Sequence, residues 1–253
     1  MIEGFAEGLF DNKTVAITGA GSGIGKSTAK LFATLGATVY AHLGRTPADE
    51  KLSSSIHAMT ADFTVIDAQQ AFIDFVHDHT STVDVLINNA GTMVGRFPAD
   101  TLSDAEYAHI VALNQDAVVR ITRGLIPTLK KGARVNGSAA IVNTVSISAS
   151  TGGSPGSSIY SASKAFVSTY TKALAKELAP HNIRTNAVSP GVIHTDFHER
   201  YSTAEKLENT RQQIPLQRLG TAEDCAPAFV FLSSPSLSGY ISGQTLEING
   251  GQF

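Results

Sequence analysis

The sequence predicts a doubly wound α/β fold, one domain in which helices cover both faces of a parallel sheet of about seven strands. Short apolar runs alternate along the chain with segments whose apolar residues recur at helical spacing, as they do in βαβ units. A glycine-rich turn joins the first apolar run to the first helix. The length of 253 residues suits a single α/β unit, so we expect one domain over 1–253.

The predicted strands are short apolar segments bounded by turn residues or by helical stripes. They cover 14–17, 37–43, a third strand that ends at Asp62, 83–87, 140–145, 184–189 and 245–248. Two of the helices between them begin at capping boxes, Ser103 with Glu106 and Thr221 with Asp224. The first capping box opens a long helix towards residue 130.

Two segments fall outside this alternation. Residues 1–12 precede the first strand, and we expect them to form an N-terminal extension. Residues 196–214 carry no strand pattern, and we expect them to form a mobile lid over the substrate.

Composition excludes several classes of protein. A chain with 42% hydrophobic and 16% charged residues can bury a sizeable core, and its net charge of -3 gives no basic field for nucleic acid. The N-terminus has no signal-peptide pattern, and no apolar run approaches the roughly 18 residues of a membrane span. We therefore expect a cytoplasmic protein with no membrane or nucleic-acid partner. No metal site is predicted, and the lone Cys225 is expected to be structural.

The glycine-rich turn at 18–25 lies between the first strand and the first helix. Gly19, Gly23 and Gly25 allow a sharp turn and a close approach of the backbone to a pyrophosphate. Ser22 and Ile24 stand at the start of the helix, where free N–H groups and the helix dipole favour an anion. The turn therefore predicts a dinucleotide site.

Tyr160 and Lys164 are four residues apart in a predicted helix, so their side chains project from one face. Reduction of a ketone needs a proton at the developing alkoxide, and a phenol can donate it. A free phenol has a pKa near 10, so a nearby cation such as Lys164 is expected to lower it. Ser146, at the end of the preceding strand, can donate a hydrogen bond to the same oxygen.

Taken together, these motifs resemble the short-chain dehydrogenase/reductase family. The resemblance covers about 14–251 and rests on the TGxxxGxG turn at 18–25, the NNAG segment at 88–91 and the YxxxK pair. The chain is most similar to members of the 3-oxoacyl-[acyl-carrier-protein] reductase type. The resemblance implies a Rossmann-type fold and an NAD(P)-dependent oxidoreductase that interconverts a carbonyl and a secondary alcohol of a small molecule.

The same resemblance assigns roles to further residues. It implies that Asn114 holds a water for proton relay to Lys164, and that Lys164 also binds the nicotinamide ribose. Other positions match the family's contacts to the adenosine and nicotinamide ends of the cofactor: Asp62, Phe63, Asn89, Ala90, Gly91, Pro190, Gly191, Ile193 and Thr195. It also implies a homo-oligomer, a tetramer or a dimer, because the last helix and strand resemble segments that pair between subunits.

The choice between NADP(H) and NAD(H) depends on the end of the second strand. No carboxylate stands at 40–46 to bind a ribose 2′-hydroxyl, whereas Arg45 can bind a 2′-phosphate. NADP(H) is therefore favoured and NAD(H) is possible. If the loop turns one residue earlier, Arg45 points into solvent and His42 or Thr46 faces the ribose.

Three alternatives stay open. An enoyl reductase of the same fold is one, although such enzymes commonly space Tyr and Lys more widely. A nucleotide-binding scaffold without turnover is another, although it need not keep Tyr160, Lys164 and Ser146. Within the site, Ser148 is a rival to Ser146.

Overall fold

The computed structural model describes residues 4–47, 53–195 and 201–252, and these contain one seven-stranded sheet. The strands are β1 (Thr14–Ile17), β2 (Thr38–His42), β3 (Ile56–Met59), β4 (Val85–Asn88), β5 (Ala139–Thr144), β6 (Ile183–Pro190) and β7 (Thr245–Ile248). Every pairing is parallel, in the order β3-β2-β1-β4-β5-β6-β7. The predicted fold class is confirmed. The third strand ends at Met59, three residues before the predicted end at Asp62, which lies in the loop that follows.

The described helices alternate with these strands. They are α1 (Gly23–Thr34), α2 (Ile66–His79), α3 (Asp104–Val111), α4 (Ala117–Asn136), α5 (Ser148–Thr151), α6 (Ser158–Leu178), α7 (Ala204–Gln213), α8 (Ala222–Ser233) and α9 (Pro235–Ser238). Both predicted capping boxes are confirmed, at the starts of α3 and α8. Among the described helices, none is long and apolar enough to cross a membrane.

Alternate residues of each strand point to opposite faces of the sheet, and the core is accordingly in two layers. Val15 and Ile17 of β1 pack in one layer with Phe32 of α1 and Phe229 of α8. Ala16, between them, packs in the other layer, with apolar side chains of α2, α4 and α6. Strands buried on both faces explain why the sequence shows continuous apolar runs and no alternation.

The helix predicted from the first capping box towards residue 130 is interrupted. A π-helical turn, Ala112–Asp116, separates α3 from α4, and α4 then continues to Asn136. Within this turn Asn114 donates from Nδ2 to the carbonyl oxygen of Ile110, four residues earlier, at 2.8 Å. Apolar periodicity reports which face of a helix is buried, and a single wide turn changes it too little to be read.

A buried chain of hydrogen bonds fixes the ends of β4 and β5. Asn88 donates from Nδ2 to Thr122 Oγ1 at 2.9 Å and to Asn143 Oδ1 at 2.8 Å, and Asn143 donates to Thr171 Oγ1 at 2.9 Å. All four residues are buried, so each lost bond would leave a polar group unsatisfied. The chain joins α4, β4, β5 and α6 behind the carboxyl edge of the sheet.

The two segments outside the alternation have different outcomes. In the predicted extension, Phe10 is buried and its ring packs edge-on against Phe32, with ring centroids 4.8 Å apart. Of the predicted lid, 196–200 lies outside the described residues, and α7 belongs to the remainder. Cys225 is buried, and burial and neighbouring carboxylates raise the pKa of its thiol to about 12.

Candidate active site

A cleft of about 1190 Å³ opens at the carboxyl ends of the strands. The strand order reverses between β1 and β4, and the loops that follow these two strands diverge there. Open α/β sheets bind ligands at such a crevice. The cleft is lined by all the site residues predicted from the sequence except Asn114, which lies buried directly behind it.

The glycine-rich turn forms one wall of this cleft. Gly19 and Gly23 have φ angles of +71° and +50°, which favour glycine. Ser22 caps α1 without a side-chain hydrogen bond, and the first turn of α1 carries no acidic residue. The N–H groups of that turn are therefore left for an anion, so this end of the cleft fits the pyrophosphate of a dinucleotide.

Thr18 holds the turn against the NNAG segment. Its Oγ1 accepts hydrogen bonds from the backbone N–H groups of Asn89 and Ala90, both at 3.0 Å. A Cβ added to Gly19 would lie 2.8 Å from the Ala90 Cα, so only glycine allows this approach. The two motifs, about seventy residues apart, thus form one surface.

His42 organises the backbone at the cofactor end, whereas the sequence analysis considered it only as an alternative neighbour of the ribose. Its Nδ1 accepts from the Gly19 N–H at 3.3 Å, and its Nε2 lies 3.0 Å from the Ala61 carbonyl oxygen. The Gly19 contact requires an unprotonated Nδ1, so the ring is neutral, and the Gly44 N–H also points to Nε2, at 3.2 Å. Burial lowers the pKa of His42 to about 4, and the ring stacks on Phe63 with centroids 3.5 Å apart. A buried imidazole at the end of a strand has no local sequence signal.

Arg45 and Asp62 line the adenosine end of the cleft. Arg45 is exposed, and its positive charge contributes to a lowered pKa of the Asp62 carboxyl. The larger cause of that lowering is hydrogen bonding, because Asp62 Oδ1 accepts from the Thr64 N–H at 3.0 Å and from Thr64 Oγ1 at 2.8 Å. Arg45 therefore lines the cleft, and so do both alternatives, Thr46 and the buried His42.

Tyr160 and Lys164 lie on the first two turns of α6, as predicted. Lys164 is buried, donates from Nζ to the Thr144 carbonyl oxygen at 2.9 Å, and lies 5.8 Å from the centre of the Tyr160 ring. The Tyr160 hydroxyl is hydrogen-bonded to the Ser146 side chain. Ser148 donates from its Oγ to the Ser146 Oγ at 3.0 Å, so the rival serine orients Ser146 instead of replacing it.

The electrostatics of this pair differ from the sequence expectation. Burial raises the pKa of Tyr160 to about 12, and the hydrogen bond with Ser146 offsets only part of this. Burial also lowers the pKa of Lys164 to about 8. The expected lowering of the Tyr160 pKa is absent because the ammonium group points to the Thr144 carbonyl and both groups are desolvated. A phenol with a raised pKa keeps its proton at neutral pH, which suits a proton donor.

The side chain of Asn114 places a hydrogen-bond acceptor without a partner near Tyr160 and Lys164. Its Nδ2 donates to the carbonyl oxygens of Thr92 and Ile110, both at 2.8 Å, while its Oδ1 is buried without a hydrogen-bond partner. A Cβ built on Gly91 would lie 2.8 Å from this Oδ1 and 3.0 Å from Lys164 Nζ. Both atoms therefore border one small space beside Gly91. A buried acceptor left without a partner favours an ordered water there.

The segment after β6 closes the opposite wall. The Gly191 N–H donates to the Ile248 carbonyl oxygen at 2.9 Å, and Ile193 forms an isolated bridge with Gly220. A Cβ built on Gly23 would lie 3.2 Å from the Thr195 side chain, so this segment faces the glycine-rich turn. Pro190, Gly191, Ile193 and Thr195 all line the cleft.

The remaining part of the cleft is built from three loops. Arg96 donates from Nε to the Tyr201 carbonyl oxygen at 3.1 Å and from Nη1 to the Pro155 carbonyl oxygen at 3.3 Å. Thr92 Oγ1 lies 2.9 Å from the Tyr201 hydroxyl. The sequence analysis placed Tyr201 in the predicted lid but did not predict these contacts, because they join residues about a hundred positions apart.

The fold and the cleft together define a dinucleotide-binding protein with a tyrosine, lysine and serine site. A family model described as enoyl-(acyl carrier protein) reductase matches residues 19–252. An uncharacterized short-chain type dehydrogenase/reductase of Sinorhizobium fredii is 37% identical, over 96% of this chain and 98% of that protein. A 3-oxoacyl-[acyl-carrier-protein] reductase of Thermotoga maritima is 36% identical, over 95% and 98%.

A solved structure agrees with these relatives. The crystal structure of NADH-dependent reductase A1-R′, described as responsible for alginate metabolism, has a TM-score of 0.88 at 34% identity. The match covers 97% of this chain and 99% of that one. The chain belongs to the short-chain dehydrogenase/reductase family, whose members are NAD(P)-dependent oxidoreductases, and the predicted resemblance is confirmed.

Proposed function

We propose that this protein reduces a carbonyl group of a small molecule to a secondary alcohol, and catalyses the reverse reaction, with Tyr160 as the acid and base. The observation that carries the proposal is the convergence of Tyr160, Lys164 and Ser146 in the same cleft as the glycine-rich turn. A scaffold that only binds a nucleotide has no need for a buried lysine beside a tyrosine, since burial of an ammonium group is costly.

The bound nicotinamide cofactor supplies or accepts the hydride. Tyr160 carries its proton at neutral pH, because its pKa is raised, and donates it to the substrate oxygen as negative charge develops there. Ser146 donates a second hydrogen bond to that oxygen, and a hydrogen bond from Ser148 orients the Ser146 side chain. The Lys164 charge, close to the phenol, stabilises the phenolate that remains.

Asn114 completes a route for the return of the proton. Its free Oδ1 accepts from a water in the space beside Gly91, and the same water accepts from Lys164 Nζ. Lys164 can then pass a proton towards Tyr160 while its own proton is replaced from the water. Pro190, Gly191, Ile193 and Thr195 bind the nicotinamide end in this proposal, and Lys164 binds its ribose.

The proposed cofactor is NADP(H) in preference to NAD(H). Arg45 is exposed at the adenosine end, and the end of β2 offers the buried imidazole of His42 and no carboxylate to a ribose 2′-hydroxyl. The relative A1-R′ is NADH-dependent, so the family membership does not decide the preference. Arg45 is the residue that decides it in this chain.

A panel of ketones tests the proposed function. Incubation with NADPH or NADH and each ketone should lower the absorbance of the reduced cofactor in the wild type and leave it unchanged in Tyr160→Phe. The proposal predicts a higher kcat/KM with NADPH than with NADH. Consumption of neither cofactor with any ketone would support a scaffold instead.

Enoyl reduction is the second candidate function, because the matching family model carries that description. The four-residue spacing of Tyr160 and Lys164 favours the carbonyl reductase. The two are separated by offering a 2-enoyl thioester and a 3-oxoacyl thioester side by side. Faster cofactor oxidation with the enoyl compound would favour the second candidate.

We also propose that the protein is a homo-oligomer, a tetramer or a dimer. Among the described strands β7 pairs with β6 alone and so forms an edge of the sheet, and Leu246 on it is 39% exposed. Tyr240 and Leu237 nearby are exposed as well. An exposed edge strand with apolar side chains is a surface that association covers. Sedimentation of the wild type should give a species larger than a monomer at micromolar concentration, and Leu246→Lys should weaken it.

A further inference from the structure

Two cations line the substrate half of the cleft, which we define as the loops 92–97 and 153–157 together with 201–213. Arg96 belongs to the first loop, and Lys206 to the first turn of α7. Arg96 bonds to the carbonyl oxygen of Tyr201, five residues before Lys206, and partial burial together with the charge of Arg96 lowers the pKa of Lys206. Two positive charges are therefore held near one another on the side of the cleft where the proposed function puts the substrate.

Hydrogen bonds fix the Arg96 side chain, but some of its N–H donors have no partner among the described residues. Its guanidinium has five N–H donors, and two of them bond to the carbonyl oxygens of Tyr201 and Pro155. Three donors remain for a ligand. The loop that contains Pro155 leads directly into α6 and Tyr160, so Arg96 is anchored to the segment that carries the proposed acid.

Neither cation has a carboxylate partner within the described parts of the chain, although other cations nearby do. Arg211, on the outer side of the same α7, makes two hydrogen bonds with Glu208, at 2.7 and 2.8 Å. Arg218 makes two with Asp224, at 2.6 and 2.8 Å. Among the described residues, the carboxylates of this region thus neutralise Arg211 and Arg218 and make no ion pair with Arg96 or Lys206.

The one carboxylate that lines the substrate half among the described residues does not fill this role. Glu205 is adjacent to Lys206 in α7, and neighbours in a helix point in different directions. It is exposed, and it makes no ion pair with either cation. The other carboxylate of the cleft, Asp62, lies at the adenosine end and is occupied by Thr64.

Like charges that are held together and partly desolvated repel each other, and this cost is recovered when an anion binds between them. An arginine with free donors suits the planar oxygens of a carboxylate or the oxygens of a phosphate, and a lysine adds a point charge. We propose that Arg96 and Lys206 form a subsite for an anionic group of the substrate, so that the enzyme reduces small carbonyl compounds that carry a carboxylate or a phosphate. This inference rests on the proposed function, since it names the substrate class of that same site.

Matched pairs of substrates test the subsite: an oxo acid beside its methyl ester, and a phosphorylated ketone beside the same ketone with a free hydroxyl. The wild type should reduce the charged member of at least one pair with a kcat/KM about 10- to 100-fold higher, the range of a charge-assisted hydrogen bond. The pair that shows the preference distinguishes carboxylate from phosphate.

Lys206→Gln is the sharpest variant, because the Lys206 ammonium makes no hydrogen bond within the described residues and its loss leaves the fold intact. It should raise KM for the charged substrate about tenfold, with kcat and the neutral substrate little changed. Arg96→Gln should do the same with a larger effect. Arg211→Gln removes the same charge from the outer side of the same helix, and it should change neither substrate.

The outcomes separate the subsite from the function on which it rests. If the neutral members are reduced as well as the charged ones, and the reaction still needs Tyr160, the anion subsite is wrong and the proposed function stands. The same conclusion follows if Lys206→Gln and Arg211→Gln have equal effects. If no carbonyl compound of either kind oxidises the cofactor, the proposed function fails and the subsite falls with it.

Discussion

The cofactor half and the substrate half of the cleft are formed by different kinds of chemical groups. The cofactor half consists of backbone: the glycine-rich turn, the N–H groups at the start of α1 and the loops after β2, β3 and β4, joined by Thr18 and His42. The substrate half consists of side chains from separate loops, and Arg96 bonds to a residue 105 positions away. The cofactor half can serve any substrate, whereas the side chains of the substrate half must differ between enzymes that act on different substrates.

This difference makes a general prediction about substitutions. A change in the cofactor half should affect every substrate to the same degree, because the cofactor takes part in every turnover. A change in the substrate half should affect some substrates and spare others. Lys164 lies between the two halves, so a substitution there should affect cofactor binding and the reaction of every substrate.

The largest effect is expected from Lys164→Met, which removes the buried ammonium and keeps a side chain of similar length. Reductive kcat/KM should fall about 1000-fold, since the loss affects both the proton relay and the phenolate. Affinity for the cofactor should fall as well, because the same residue is proposed to bind the ribose. Steady-state kinetics and cofactor titration measure the two effects, and an unaltered cofactor dissociation constant would reject the ribose role.

The same variant should be more stable than the wild type. Burial holds the Lys164 pKa at about 8, below its unfolded value, so the folded state binds the proton less tightly than the unfolded state. Wild-type stability should therefore increase as pH rises from 8 towards 10.5, and that of Lys164→Met should not. At pH 7 we expect the variant to gain about 1 to 3 kcal/mol in urea unfolding, after the lost bond to Thr144 is deducted. A less stable variant at pH 7 contradicts this.

Gly25→Ala tests the claim that the cofactor half is made of backbone. A Cβ at this position collides with the carbonyl oxygen of Gly19 and with Asn89 Nδ2, so the turn must move. Affinities for NADPH and NADH should both fall, by about 100-fold, and kcat/KM should fall equally for all ketones. Gly137→Ala is the control, because Gly137 ends α4 with no atom within 4 Å of the added Cβ, although its φ of +84°, unlike the φ of Gly25, itself strains an alanine. It should cost about 1 kcal/mol of stability and no affinity.

Arg45→Ala should affect the binding of the two cofactors differently. If Arg45 binds the 2′-phosphate, NADPH should bind about 10- to 100-fold more weakly, as expected for a lost charged hydrogen bond, while NADH is nearly unaffected. NADH serves as the internal control for folding. Equal losses for both cofactors, or no loss for either, mean that the missing carboxylate at 40–46 does not indicate NADP(H).

A smaller effect is expected from pH. The kcat/KM for NADPH reports the ionisations of the free enzyme, and the Lys164 ammonium is lost as pH rises through its pKa of about 8. Reductive kcat/KM should be level below about pH 7, fall by about half at pH 8 and fall about tenfold by pH 9. Tyr160, with its pKa near 12, keeps its proton over this range. A level profile up to pH 10 would show that Lys164 does not need its charge.

The same division of the cleft explains what the sequence could reveal. Strand positions, both capping boxes and the glycine-rich turn depend on local pattern, and the structure confirms them apart from the end of the third strand. The π-helical turn at Asn114 and the inward ring of His42 depend on contacts across the sheet, and no local pattern reports them. Arg96 and Lys206 were missed for the same reason, since a lone charge in a loop resembles any solvated residue.

The pKa of Tyr160 was expected in the wrong direction for a related reason. The four-residue spacing correctly predicts that Tyr160 and Lys164 share one face of α6. It does not report that the two groups are desolvated together or that the ammonium bonds to Thr144. Burial, which is a property of the whole fold, outweighed the pair interaction that the spacing suggested.

The central claim is that Tyr160 supplies the proton in a carbonyl reduction, and one variant tests it most directly. Tyr160→Phe removes the hydroxyl and keeps the ring, and a single-turnover experiment follows the absorbance of the reduced cofactor with saturating ketone. We predict a rate about 1000-fold below the wild type, with the cofactor dissociation constant unchanged within about twofold. A rate close to that of the wild type would contradict the account.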